Sequence, residues 1–463
     1  MLDSAEESFF LAEARHAPTL ARKLGLADVT LIVMGGIIGS GIFVNPAVVA
    51  ARAGSAQGAL GAWLLGGAIA LVGAFIYAEL GARRPEAGGQ YAYLREAFHP
   101  ALAFAYAWAL LLLIQTGGMA ASAMTFARYA RELAHVPVPE GVLSALVLGL
   151  LTLVNALGVR AGAGTQNALM VVKIAAILAI VAAGFVLSRA TGGVASTPAA
   201  GPAGHAGGEA ASGFGSAMVP VLFAYGGWQT AAFVGGEVRD AARTLPRGMV
   251  LGVIGVVVLY VAVNVACLRV LGASGLAGTP APAAALMRAA FGEAGARWLA
   301  FGVAASTLGF LSQSMLTAPR VYYAMAADGL FFGGIARVSE RTRVPVRAVV
   351  LQGAAAVLLA LTGEYGRILD TVVSADWIFF GLSAACVFAL RRKDEAAGRP
   401  AVAGIPLHPW TTLAFIGASA WIVFQSLAHD PRNGAIGLGL MLAAWPVYLL
   451  WRGAGARVGP ARP

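Results

Sequence analysis

Two glycine-interrupted stretches place backbone polar groups where a charged ligand could meet them. In Gly39-Ser40-Gly41 two glycines flank a serine. They remove the bulk that would keep a ligand off the backbone, and they leave N–H groups at the start of a half-helix whose dipole favours an anion. A carboxylate fits there. In Phe223-Ala224-Tyr225-Gly226-Gly227-Trp228 two adjacent glycines lie inside an aromatic cluster, and carbonyls freed by unwinding would accept hydrogen bonds from an ammonium group. Donors at one break and acceptors at the other match a zwitterion, and Phe223, a large ring beside the second break, suits a lid over a small ligand. Gly35 and Gly39, four residues apart, also suit close packing between helices.

Both stretches sit inside hydrophobic segments long enough to cross a bilayer, about half a chain apart. Unwinding a helix in hydrocarbon strands backbone groups, which is tolerated only where a ligand, an ion or water satisfies them. Paired interruptions in two halves are therefore the mark of a transporter built from repeats, with its substrate at the breaks. Composition points the same way: charged residues are 12% and apolar residues 59% of the 463, against about 25% charged in soluble proteins. The net charge of +10 does not imply nucleic acid, because the basic residues lie in short connections instead of on one stripe.

Apolar stretches of about 20 residues number twelve: 28–53, 59–82, 100–130, 140–159, 165–188, 214–238, 248–271, 297–326, 346–363, 367–390, 409–428 and 434–451. With the N-terminus inside, 22 basic residues fall in inward segments and 9 in outward ones, which sets both termini in the cytoplasm. The chain then divides into an N-terminal tail (1–27), spans one to five (28–188), an outward Gly/Ala/Pro-rich connector (189–213), spans six to ten (214–390), an inward loop (391–408), spans eleven and twelve (409–451) and a C-terminal tail (452–463). The opening residues have no apolar core before a cleavage site, so they read as a cytoplasmic tail and not as a signal peptide.

Lys173 is the one basic residue deep within a span, about nine residues from the inner end of the fifth, or roughly 13 Å at 1.5 Å per residue. An ionisable group at that depth is a functional candidate: it either bridges to freed carbonyls or titrates. Glu79 and Glu237, near Arg83, Arg84 and Arg239, are read as an inner charge network or as solvated span ends. Asp370 and Asp376 are read as solvated at the outer start of the tenth span. Cys267 and Cys386 lie in apolar segments without metal or redox spacing, so no disulfide-linked accessory subunit is expected. No histidine pattern suggests a metal, and no cofactor is expected. Phosphate-binding and nucleophile-elbow motifs are missing, which argues against ATP-driven transport and hydrolysis.

Four blocks carry a resemblance. Gly36-Gly-Ile-Ile-Gly-Ser-Gly-Ile-Phe-Val-Asn-Pro46, Pro85-Glu-Ala-Gly-Gly-Gln-Tyr-Ala-Tyr93, Phe223-Ala-Tyr-Gly-Gly-Trp228 with Glu237 and Thr244-Leu-Pro246, and Arg320-Val-Tyr-Tyr-Ala-Met-Ala-Ala-Asp-Gly329 stand in order. The chain resembles an amino acid permease of the amino acid, polyamine and organocation superfamily, similar to its L-type amino acid transporter branch. The resemblance implies an all-α membrane protein with twelve transmembrane helices, a leucine-transporter-like five-plus-five inverted repeat and discontinuous helices one and six. It implies that Ile37, Ser40 and Gly41 contact the substrate carboxylate, that Phe223, Ala224 and Gly226 contact its amino group, and that Phe223 closes the outer gate. Gly39 joins this set from its place in the first break. The lysine of the fifth span would stand where sodium-driven relatives hold sodium, linking that span to the first break. Ser312 and Gln313 replace an Asn-Gly or Asn-Ala pair common in relatives, which leaves the side-chain pocket open.

The expected function is sodium-independent exchange of small neutral L-amino acids across an inner or plasma membrane by alternating access. A proton-coupled symporter using Lys173 is the alternative. An ion channel would want rings of like charge or carbonyl filters, and an enzyme a catalytic dyad facing water; neither pattern is present.

Overall fold

In a computed structural model the described residues are 20, 22–134, 137–190, 208–279, 281–362, 365–429 and 431–455. They fold as helices: α1 Leu26–Ile37, α2 Gly41–Ala53, α3 Ala56–Arg83, α4 Gln90–Ala97, α5 Pro100–Ala109, α6 Gln115–Ala134, α7 Glu140–Ala156, α8 Val159–Ala190 and α9 Gly208–Tyr225. Then follow α10 Thr230–Phe233, α11 Ala241–Ala277, α12 Pro282–Thr317, α13 Pro319–Ala327, α14 Val346–Thr362, α15 Tyr365–Ala396, α16 Trp410–His429, α17 Pro431–Leu442 and α18 Ala444–Gly455. Among the described residues no strand forms; a lone bridge pairs Leu24 with Val238.

Helices occupy each of the twelve apolar stretches. Among the described residues six helical stretches are long and apolar enough to cross a membrane, or seven when the bent pair α1 and α2 counts as one span. Several stretches depart from one continuous regular α-helix. The span 214–238, expected to be interrupted at its glycines, is a helix to Tyr225, a turn, the short α10 and a 3₁₀ turn at Gly235–Glu237. The expected span 100–130 contains a π-helical segment, Leu110–Ile114, between α5 and α6. Helices enter the expected connector from both ends, α8 running to Ala190 and α9 starting at Gly208; residues 191–207 lie outside the described ones.

Local chemistry sets the helix ends. Ser55 caps α3 by accepting a hydrogen bond from the Gly58 N–H at 3.0 Å, and Gly54 supplies the left-handed residue, φ 68°, that ends α2. Proline opens α5, α12 and α13 within their first turns, where its missing N–H costs no helical bond. One continuous apolar core runs through the molecule, centred on α1, α3, α9 and α11. A second, smaller cluster joins α6, α7, α12 and α14.

Candidate functional site

α1 stops at Ile37, Ile38 is extended (φ −76°, ψ 96°), and α2 restarts at Gly41. The two axes differ by 47°. This break frees three consecutive carbonyls, and each accepts a hydrogen bond from a different helix. The Tyr260 hydroxyl of α11 donates to the Ile37 carbonyl at 3.1 Å. The Lys173 ammonium of α8 donates to that of Ile38, and the Ser306 hydroxyl of α12 to that of Gly39 at 3.1 Å. The acceptors are thus neutralised from behind. The N–H groups of Gly39, Ser40 and Gly41 have no partner among the described residues, and they stand at the positive end of the thirteen-residue α2.

The second break has the opposite polarity, since it begins with the C-terminal end of α9. The Gly226 N–H turns back to the Phe223 carbonyl at 3.2 Å, and the Gly227 N–H donates to Gln229 Oε1 at 3.1 Å. Thr230 Oγ1 donates to the Gly227 carbonyl at 2.7 Å and in turn accepts from Gln313 Nε2 at 2.6 Å. The Tyr225 and Gly226 carbonyls accept no hydrogen bond among the described residues. Tyr260 also reaches the Ala224 carbonyl, at 3.3 Å, so one hydroxyl lies between the two breaks.

The breaks touch. A β-carbon on Gly227, whose φ is 119°, would lie 2.2 Å from the Gly36 carbonyl oxygen, and one on Gly36 would lie 2.7 Å from that of Gly227. Between them lies a cavity of about 140 Å³, room for a small organic molecule. Ile37, Gly39, Ser40, Gly41, Phe223, Ala224 and Gly226 all line it, so the structure gathers the seven residues that sequence reasoning named for the substrate. Phe223 is 36% exposed. Lys173 does not line the cavity; it is fully buried beneath the first break.

Further lining comes from residues the sequence did not assign to the substrate. Ile114 and Gln115 at the π segment, Phe310 and Gln313 of α12, and Trp377 and Phe380 of α15 supply it. Phe380 and Trp377 pack on Trp228, beside the second break, with ring centroids 5.0 and 6.3 Å away. A π turn inside a long helix is a signal of function in hindsight, but nothing in Leu110-Leu-Leu-Leu-Ile114 announces it. Of the pair standing in place of Asn-Gly, Gln313 faces the cavity and Ser312 is buried without a partner.

The carboxylate readings fare differently: of the two kept open for Glu79 the charge network with Arg83 holds, while those of Asp376 and Glu237 need correction. Asp376, expected to be solvated, lines the cavity, because α15 carries it to the level of the breaks. Glu79 is no solvated end: its carboxylate is buried and accepts from Arg83 at 2.9 Å, from Arg391 at 2.7 and 2.6 Å, and from the Ile405 N–H at 3.0 Å. Glu237 pairs with Arg320 at 2.5 Å, both side chains fully buried, and not with Arg239. The Asp370 side chain lies outside the described residues. Cys267 and Cys386 are free and buried. Among the described residues no group of three His, Cys, Asp or Glu side chains could hold a metal ion.

Comparison with known proteins fits this geometry. The chain is 29% identical over 445 residues to the serine/threonine exchanger SteT of Bacillus subtilis (strain 168), covering 93% of this chain and 96% of that one. It is 31% identical to the human large neutral amino acids transporter small subunit 2, over 93% of this chain and 80% of that one. The rat b(0,+)-type amino acid transporter 1 is 30% identical over 89% of this chain and 84% of its own. The amino acid permease family matches residues 24–450, and with nearly the whole chain covered, this multi-pass membrane protein belongs to that family.

Proposed function

We propose that the protein is a sodium-independent exchanger of small neutral L-amino acids that works by alternating access. The observation that carries this reading is the opposed polarity of the two breaks around one cavity: unpaired N–H groups at Gly39, Ser40 and Gly41, unpaired carbonyls at Tyr225 and Gly226. A free amino acid offers the carboxylate and ammonium that these groups lack. Ile37, Ser40 and Gly41 then hold the carboxylate, Phe223, Ala224 and Gly226 the amine, and Phe223 moves over the ligand as the outer gate.

Exchange is supported by the similarity to the serine/threonine exchanger SteT. Sodium independence is supported by Lys173, whose side-chain nitrogen donates to the Ile38 carbonyl and so occupies the space beside the first break. The alternative, proton-coupled symport, draws on the same residue, because Lys173 is buried with no carboxylate among its hydrogen-bond partners. In the full proposal spans one to five (28–188) and six to ten (214–390) form two inverted repeats, spans eleven and twelve lie outside them, and both termini lie in the cytoplasm of a cell with an inner or plasma membrane. The Glu79, Arg83, Arg84, Asp394 and Arg391 network then lies at the inner face. The two cysteines, free and buried, support function without a disulfide-linked partner.

Competition with modified ligands tests the zwitterion site. Amidated and N-acetylated alanine should fail to displace labelled alanine from purified protein in liposomes. Displacement by either as strong as by alanine itself would remove the site from the breaks.

A further inference from the structure

Asp376 is the one ionisable side chain among the residues lining the cavity, and it has no hydrogen bond or ion pair among the described residues. Glu79 and Glu237, by contrast, are spoken for: Glu79 by two arginines and a backbone N–H, Glu237 by Arg320. Asp376 is half-buried, and an ionisable group standing alone within a span is a functional candidate by default. The backbone groups of the two breaks already match the carboxylate and ammonium of an amino acid. Asp376 lines the same cavity and is surplus to that recognition, which leaves it free to meet the substrate side chain. Its neighbours there are Trp377 and Phe380 on its own helix, and none of the lining residues is a cation.

We propose that Asp376 is a third subsite, which takes the ammonium at the end of a short substrate side chain, so that the protein carries short cationic amino acids besides neutral ones. This rests on the reading that the zwitterion sits at the breaks. The methylene stem of such a substrate would run past Ile114, Phe310 and Phe380, apolar surfaces that suit it, and its terminal ammonium would meet the carboxylate in a water-poor cavity. The limited volume, about 140 Å³, favours a side chain of ornithine length over one as long as arginine.

Ornithine and norvaline separate the idea cleanly, because they share a carbon chain and differ in the terminal ammonium. In liposomes loaded with alanine, unlabelled ornithine should inhibit labelled alanine uptake about tenfold more strongly than norvaline, a difference of about 1.4 kcal/mol. In Asp376→Asn that ratio should fall to about one, and in Asp376→Glu it should stay above one. Ligand-induced shifts in Tm on purified protein give the same ratio where transport is too slow to read. Equal inhibition by the two compounds in the wild type overturns the proposal, as does an ornithine advantage that survives in Asp376→Asn. Alanine uptake driven by an imposed pH difference and lost in Asp376→Asn also overturns it, by making Asp376 a proton site. If neither compound nor alanine competes at all, the exchange reading fails with it; if alanine competes and ornithine has no advantage, the exchange reading stands and the third subsite alone is lost.

Discussion

Gly36 and Gly227 meet backbone to backbone, each occupying the space that a β-carbon on the other would need. The two interrupted helices are therefore joined at their breaks through main chain, which fixes the distance between the donor end and the acceptor end of the cavity. Gly227→Ala must strain a φ of 119° and push the breaks apart. It should lower stability by about 1–3 kcal/mol, read as a fall in Tm in detergent. Gly41→Ala is the control, because its β-carbon would meet Asn45 and Ala224 at ordinary distances of 3.4 and 3.5 Å. That variant should keep the wild-type Tm and bind substrate more weakly, and equal Tm values for Gly227→Ala and wild type would show that the contact does not matter.

Lys173→Ala removes the partner of the Ile38 carbonyl and leaves it buried and unpaired, a loss of roughly 1–3 kcal/mol. Exchange should slow at acidic, neutral and alkaline pH alike. Wild-type uptake that rises with an inward proton gradient, with that dependence missing in the variant, would favour proton coupling instead.

Arg320 and Glu237 form an ion pair in which neither side chain is exposed, and Glu237 also offers its carbonyl to the Lys23 and Leu24 N–H groups at 2.9 and 3.0 Å. Removing one charge leaves the other stranded. Glu237→Ala should cost about 3–5 kcal/mol, while the double replacement Glu237→Leu with Arg320→Met should recover much of it. Thermal unfolding of the two proteins decides, and a double variant no better than the single one would contradict the argument.

Asp394, beyond the apolar part of α15, accepts from Arg83 at 2.6 Å and from Arg84 at 2.7 Å. Burial pushes its carboxyl up, but the two guanidinium groups outweigh burial and hold it below the ordinary carboxylate value. The folded-state value is the lower one, so this stabilisation is complete at neutral pH and is lost as the pH falls through that depressed value. Asp394→Asn should be less stable than wild type at neutral pH and should converge with it under acid. A difference that is constant across pH would rule out the linkage.

The breaks were readable because glycine pairs inside apolar spans have few other uses, and Lys173 because a lone cation among Leu, Ile and Val stands out. Asp376 was misread because its distance from a segment end says nothing of where α15 sits relative to α1 and α9; only packing sets that. Tyr260 and Ser306, which cap the freed carbonyls, look like ordinary small or aromatic members of apolar helices, and their role exists only across helices far apart in sequence. The π segment at Leu110–Ile114 is likewise a product of packing, since five aliphatic residues favour no such turn. Glu237 found Arg320, eighty-three residues away, in place of nearby Arg239 for the same reason.

The central claim is that an amino acid held by its zwitterion between the two breaks is exchanged across the bilayer. Counterflow tests it most directly: labelled alanine is supplied outside liposomes containing the purified protein, which are either preloaded with unlabelled alanine or left empty, with no sodium and no pH difference. The account predicts rapid uptake into the preloaded liposomes and little into the empty ones, abolished by Gly41→Val. Equal uptake into both, or counterflow undiminished in Gly41→Val, would contradict it.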